Sequence, residues 1–292
     1  MTLESARFDV GLGTAYERVA IYQLFERWAE NRNIETALEG PIDGMAGIPG
    51  LHLLSLARKG TRVTVALPDS EALEIVRSIY QLHGVEDRLT TLNIAGNGSA
   101  VPGHYDLVLT YNALPLIEDW RCYLKRLAER SKRFFLVSVT NPYSYGVGIR
   151  RLQRLVESSR RPELFDHESV RPSVLTPFLQ QFGSIVKHSH LDCPWWPDLF
   201  VPTGQTLASA SLARLPFIGK RFATRSPSSG SQKHNGVVKP YLYGADRFPL
   251  FPDGADYKEL GDTLKRHPVF DGKGGLLGQL FGHHHAYLVE IR

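Results

Sequence analysis

The stretch Thr36-Ala37-Leu38-Glu39-Gly40-Pro41-Ile42-Asp43-Gly44-Met45-Ala46-Gly47-Ile48-Pro49-Gly50 decides how this chain is read. A short strand-like run ends at Glu39 and breaks into a loop rich in glycine. Downstream come a helical run from Leu51 to Arg58, the basic stop Lys59-Gly60, a second strand Arg62-Val63-Thr64-Val65-Ala66-Leu67, and an acid at Asp69. Strand, glycine loop, helix, strand and acid is the order of a βαβ unit that holds a nucleotide. Glycine lets backbone amides approach such a ligand, and a carboxylate can bind its ribose hydroxyls.

Working outward, Tyr16 to Asn31 reads as an amphipathic helix, with Val19, Ala20, Leu24 and Trp28 at helical spacing and Glu17, Arg18, Glu26, Arg27 and Glu30 between them. Toward the C-terminus, Glu71 to His83 is a helix stopped at Gly84, and Arg88 to Ile94 a third strand. Tyr105-Asp106-Leu107-Val108-Leu109-Thr110 is the continuous apolar run of a strand buried on both faces. A helix at Asp119 to Ser131 and a strand at Arg133 to Val139 follow. Helices at Gly148 to Ser159 and Ser173 to Phe182, a less buried strand at Ser184 to Asp192, and a last strand at His285 to Ile291 complete the pattern. Parallel strands need helical crossovers, so the economical fold is α/β: a doubly wound, mostly parallel seven-stranded Rossmann-like sheet. The domain is read as residues 1–194 plus 283–292. Residues 195–282, rich in proline, glycine and serine, form an insertion between the last two strands, expected to be a substrate cap or a partner-binding region.

At 292 residues and 42% hydrophobic content, the chain can bury a substantial core. No apolar run reaches the roughly 20 residues needed to span a bilayer, and Met1 to Tyr16 lacks the pattern of a signal peptide, so a cytoplasmic location is expected. Two cysteines, Cys122 and Cys193, are too few for a disulfide framework. A net charge of +4 is no nucleic-acid footprint. The stretch Leu212 to Pro240 is locally basic, carrying Arg214, Lys220, Arg221, Arg225, Lys233 and Lys239 and no acid, which leaves contact with a membrane surface open.

The order of parts resembles the class I S-adenosylmethionine-dependent methyltransferases, whose seven-stranded sheet ends in an antiparallel strand. The resemblance spans Tyr16 to Leu199 and His283 to Arg292. Its most specific piece is Tyr105-Asp106-Leu107-Val108-Leu109-Thr110-Tyr111-Asn112-Ala113-Leu114 followed by Ile117-Glu118-Asp119, similar to the family's fourth strand and the helix entry after it. The glycine loop is longer than the family's, and the acid that normally closes the second strand stands two positions later, at Asp69, with Glu71 as its substitute. The resemblance implies S-adenosylmethionine as cofactor. It puts Glu39 at the methionine end, with Gly40, Gly44 and Gly47 admitting backbone contacts and Asp69 on the ribose. Asn93 or Asn97 falls near the adenine, and Tyr111 and Asn112 at the end of strand four.

In an open parallel sheet the crevice lies beyond the carboxyl ends of the strands. Strand five then offers Asn141, Tyr143 and Tyr145, strand six Trp195 and Trp196, and the start of the antiparallel last strand His283, His284 and His285. His284, His285 and Tyr143 are the catalytic candidates; Asn141, Tyr145, Trp195 and Trp196 are the substrate candidates. His188 and His190 lie one strand away, yet no spacing signature marks a metal site, and none is assigned. The expected activity is methyl transfer to a small or medium-sized acceptor. A non-catalytic scaffold of the same fold is the alternative, and a nicotinamide-dependent oxidoreductase a more distant one. A homodimer stays open, and nucleic acid is not the expected partner.

Overall fold

The computed structural model describes residues 12–40, 50–94, 100–148, 168–191 and 275–292. Among them, helix α1 (Leu12–Ala29) leads into β1 (Thr36–Glu39), α2 (Leu54–Arg58), β2 (Arg62–Leu67), α3 (Ser70–Leu82) and β3 (Leu89–Asn93). Then come β4 (Tyr105–Tyr111), α4 (Trp120–Ala128), β5 (Ser131–Thr140), α5 (Pro172–Leu179), β6 (Gly183–Leu191), α6 (Gly275–Phe281) and β7 (His284–Ile291). The strands form one sheet in the order β3-β2-β1-β4-β5-β7-β6. Pairing is parallel from β3 across to β5, while β7 runs antiparallel to both β5 and β6. The expected fold is therefore the observed one.

Local chemistry explains the boundaries. Asp69 caps α3 by accepting from the Glu71 and Ala72 N–H groups, and Gly84, at φ +66°, follows its end. Asp119 does the same for α4 through the Cys122 N–H. Proline at the first position of α5 costs nothing because that N–H has no helical partner. At the other end of the sheet the Asp106 carboxylate accepts from the Glu35 and Thr36 N–H groups and from the Thr36 hydroxyl, which pins the start of β1 to β4.

Side chains alternate across the sheet, and each face has its own core. On one face Ala37, Leu107, Leu109, Tyr111, Leu136, Ala286 and Leu288 pack against Ile21, Leu24, Phe25, Leu54, Val76 and Ile79 of α1, α2 and α3. On the other, Leu38, Val108, Phe135, Val137, Tyr287 and Val289 pack against Leu124, Leu127, Leu175 and Leu179 of α4 and α5. We call these the α1 face and the α4 face. No helix among the described residues is long and apolar enough to cross a membrane.

The structure corrects two readings. Glu17, expected among the polar residues of α1, is 8% exposed and points into the core. The loop after β1 yields only the short α2, because residues 51–53 turn before the helix begins. Of the helix expected over 148–159 only Gly148 is described, and Gly44, Gly47, Asn97, Trp195, Trp196 and most of the insertion lie outside the described residues.

Candidate active site at the carboxyl rim

Four strands place the candidate residues. β1 delivers Glu39 at its last position, β4 delivers Tyr111 and then Asn112, β5 leads to Asn141, and β7 starts at His284. Strands β1 to β5 end at this rim while β7 begins there, since Thr140 pairs with His284.

On the α1 face the rim holds a buried polar chain. Glu39 is 2% exposed, and its Oε1 accepts from the Gly50 N–H at 2.8 Å and lies 2.5 Å from His52 Nδ1. The His52 ring stacks on Tyr111, with centroids 4.3 Å apart and planes 25° off parallel. The Tyr111 hydroxyl donates to Glu17 Oε1 at 2.5 Å, and His284 Nε2 sits 3.7 Å from the same oxygen. Two carboxylates and two imidazoles are thus bridged by one tyrosine. The second oxygen of Glu39, Oε2, is buried with no hydrogen-bond partner among the described residues.

Glycine is required at one point of this arrangement. Gly50 has φ +85°, and a Cβ there would come within 2.8 Å of both Val65 Cγ1 and Val76 Cγ2. That backbone turns its N–H onto Glu39, while the Tyr80 hydroxyl donates to the Gly50 carbonyl at 3.4 Å. Gly40 is tight for a different reason: its N–H donates to the Leu109 carbonyl at 2.9 Å, and a Cβ would press on Leu127 Cδ1 at 3.1 Å.

Other expected site residues serve the frame. Asn112, at φ +50°, accepts through Oδ1 from the Thr140 N–H and hydroxyl, tying the ends of β4 and β5. Asn141 is fully buried; its amide donates to the Gln279 and Gly282 carbonyls, both at 2.7 Å, and accepts from the Tyr143 N–H. With both donors and its oxygen engaged, it is a staple between β5 and α6 rather than an open substrate contact. Asp69 is engaged at the start of α3 through Oδ1. Asn93 is exposed at the end of β3, Tyr143 is 48% exposed, and the Tyr145 ring meets Phe281 edge-on at 5.4 Å. Burial pushes the Tyr145 hydroxyl well above its ordinary pKa.

His284 and His285 do not act together, because alternation sends them to opposite faces. His285, 2% exposed, meets His188 and His190 of β6 on the α4 face. Burial first, and then the neighbouring His190 and His188, push the His285 pKa down to about 3. An imidazole that reluctant to charge is a weak proton acceptor.

Sequence reading missed Glu17 and His52. For Glu17 a signal exists: with Ile21, Leu24 and Trp28 it makes a run at helical spacing, so the glutamate sits in the apolar stripe. His52 carries no such mark. A surface recess lined by Gln23, Glu26, Arg27, Lys59 and Thr61 lies toward the amino ends of β1 and β2, away from this rim.

No family model and no curated protein matches this chain. Among solved structures it is similar to magnesium protoporphyrin IX methyltransferase from Synechocystis PCC 6803, crystallised with SAH, at 14% identity and a TM-score of 0.47; the match covers 58% of this chain and 75% of that one. It is also similar to the StiE O-methyltransferase segment 961–1257, at 11% identity and TM-score 0.46, over 93% of this chain and 72% of that one. TehB from Haemophilus influenzae matches at 11% identity and TM-score 0.41, over 56% and 51% of the two chains. The sheet's own layout, seven strands of which only the last is antiparallel, gives this chain the fold of the class I S-adenosylmethionine-dependent methyltransferases.

Proposed function

We propose that this chain is an S-adenosylmethionine-dependent methyltransferase acting on a small or medium-sized acceptor. The observation that carries the reading is Glu39 at the end of β1. One of its oxygens is held by Gly50 and His52, and the other is buried and unused among the described residues. A buried acceptor left without a donor costs about 1–3 kcal/mol, so a ligand that brings an ammonium group there is favoured. The methionine end of the cofactor has such a group, and the residues present fit it. Glu39 would hold that end, with Asp69 and Asn93 as the proposed ribose and adenine contacts.

When bound, the cofactor supplies a methyl group already activated by a sulfonium. What remains for the chain is to hold the acceptor in line and to exclude water, and positioning of that kind supplies much of the acceleration. The Glu39, His52, Tyr111 and Glu17 chain keeps the donor side rigid, because each side chain is buried and fixed by the next. The exposed Tyr143, and Tyr145 after it, follow β5, whose last residue Thr140 pairs with His284 at the start of β7, and the acceptor is proposed to lie by that loop.

The second reading, a non-catalytic scaffold of the same fold, is favoured by one observation: Glu39 already has an internal partner in His52, and Asp69 already has a helix to cap. Calorimetric titration separates the two. S-adenosylmethionine and S-adenosylhomocysteine should bind the folded protein, NADH should not, and Glu39→Gln should weaken the sulfur ligands. Folded protein that binds neither sulfur ligand would leave the scaffold reading.

A further inference from the structure

The α4 face carries a second cluster that the methyltransferase reading does not use. His188 and His190 follow each other on one side of β6, and the register sets His190 opposite His285 and His188 opposite Tyr287. All of these side chains therefore stand on the same face. One ring nitrogen from each histidine lies within 4.8 Å of the other two, and His188 Nε2 is 3.1 Å from His285 Nδ1. We propose that His188, His190 and His285 bind one divalent transition-metal ion of the zinc class.

Four features support this. Zinc–nitrogen bonds of about 2.0–2.1 Å in a tetrahedral site hold ligand nitrogens roughly 3.3 Å apart, so the closest pair, at 3.1 Å, is already spaced for one ion, and the third nitrogen, within 4.8 Å of both, must move inward to join them. His285 Nε2, the nitrogen turned away from His188, is buried with no hydrogen-bond partner among the described residues, which leaves Nδ1 as the nitrogen placed to bind the ion. The Tyr287 ring lies flat on His188, with centroids 4.4 Å apart and planes 4° off parallel, and fixes its orientation. The register between β6 and β7, with His190 opposite His285 and His188 opposite Tyr287, holds the three rings on one face.

The donor set also selects the ion. Three imidazoles, with no carboxylate in the group among the described residues, suit zinc, copper, nickel or cobalt and not magnesium or calcium. His188 is exposed while His190 and His285 are buried, so the site opens to solvent on one side. Three protein ligands and one open position is the arrangement of metal sites that take water or a ligand oxygen as the fourth partner. Sheet alternation puts this cluster on the opposite face from Glu39 and Glu17, so it stands or falls independently of the cofactor site.

The test uses full-length protein without an affinity tag, stripped with a chelator. Co2+ is followed by its visible absorption and Zn2+ by calorimetry. One equivalent of each should bind, with the intense visible bands of tetrahedral cobalt. His188→Ala should weaken binding by more than the roughly 10–100-fold typical of an outer-shell change, because it removes a ligand outright. His190→Ala should do the same, and if it fails to fold, the exposed His188 still decides the matter. His104→Ala, at an exposed histidine of the loop before β4, should leave binding unchanged. No binding of either ion, or binding indifferent to His188→Ala, overturns the proposal.

Discussion

The two faces of the sheet handle their histidines in opposite ways at the same rim. On the α1 face, His52 and His284 are matched with the carboxylates of Glu39 and Glu17, and Tyr111 joins the pairs. On the α4 face, the rings of His188, His190 and His285 meet one another, and Tyr287 lies against His188 and His285. In the first arrangement each imidazole faces a carboxylate, and Glu39 Oε2 has no hydrogen-bond partner among the described residues. In the second, burial and then the neighbouring histidines push the pKa values of His188 and His285 down. One face is suited to a cationic organic ligand and the other to a bare cation that takes lone pairs, and adjacent residues, His284 and His285, contribute to each.

The largest effect should come from cutting the matched pair. Replacing His52 by Ala leaves the Glu39 carboxylate buried with only the Gly50 N–H, and breaking a buried pair by removing one partner costs about 3–5 kcal/mol. Urea denaturation measures it, and a loss below 1 kcal/mol would mean that the pair is not the anchor of this face. Gly50→Ala comes next. It forces an L side chain to a positive φ and onto Val65 and Val76, at a cost on the order of 2–3 kcal/mol. Gly60→Ala shares the positive φ but meets nothing within 4 Å, so it should cost about 1 kcal/mol, and the gap between the two isolates the packing part.

Tyr111→Phe keeps the stacking on His52 and removes only the hydroxyl that serves Glu17, for an expected loss of about 1–2 kcal/mol in the same assay. The smallest effect is assigned to Asp69→Ala, about 1 kcal/mol for a lost helix cap. Its sharper use is in binding. If Asp69 also meets the ribose, cofactor affinity should fall by more than the stability change explains; if it only caps α3, affinity should be untouched in folded protein.

The frame was legible because it is written locally. The apolar run at Tyr105–Tyr111 could only be a buried strand, and Asp69, Gly84 and Asp119 mark helix ends by their own chemistry. The edge position of β6 shows in its polar alternation. The site was less legible because its decisive contacts are long-range. Glu17 is buried on account of Tyr111, 94 residues further on, and no local pattern reports that partner. The sequence does not mark Gly50, among the glycines after β1, as one at a positive φ; that depends on the turn it makes, and Val65 and Val76 leave no room there for a Cβ. Asn112 and Asn141 sit at strand ends as expected, yet what they bond to depends on β5, α6 and β7 arriving beside them. The period-two rule already separates His284 from His285, and only the register with β6 gives the separation a consequence.

The most direct test of two chemically distinct faces is a crossed thermal-shift experiment. Wild type, Glu39→Gln and His188→Ala are each melted alone, with S-adenosylmethionine, and with Zn2+, since a ligand of the folded state raises the melting temperature in proportion to its binding. The expected pattern is that S-adenosylmethionine stabilises wild type and His188→Ala but loses most of its effect on Glu39→Gln, while Zn2+ stabilises wild type and Glu39→Gln but not His188→Ala. A cofactor shift indifferent to Glu39, or a single substitution that abolishes both shifts in a folded protein, would contradict the account.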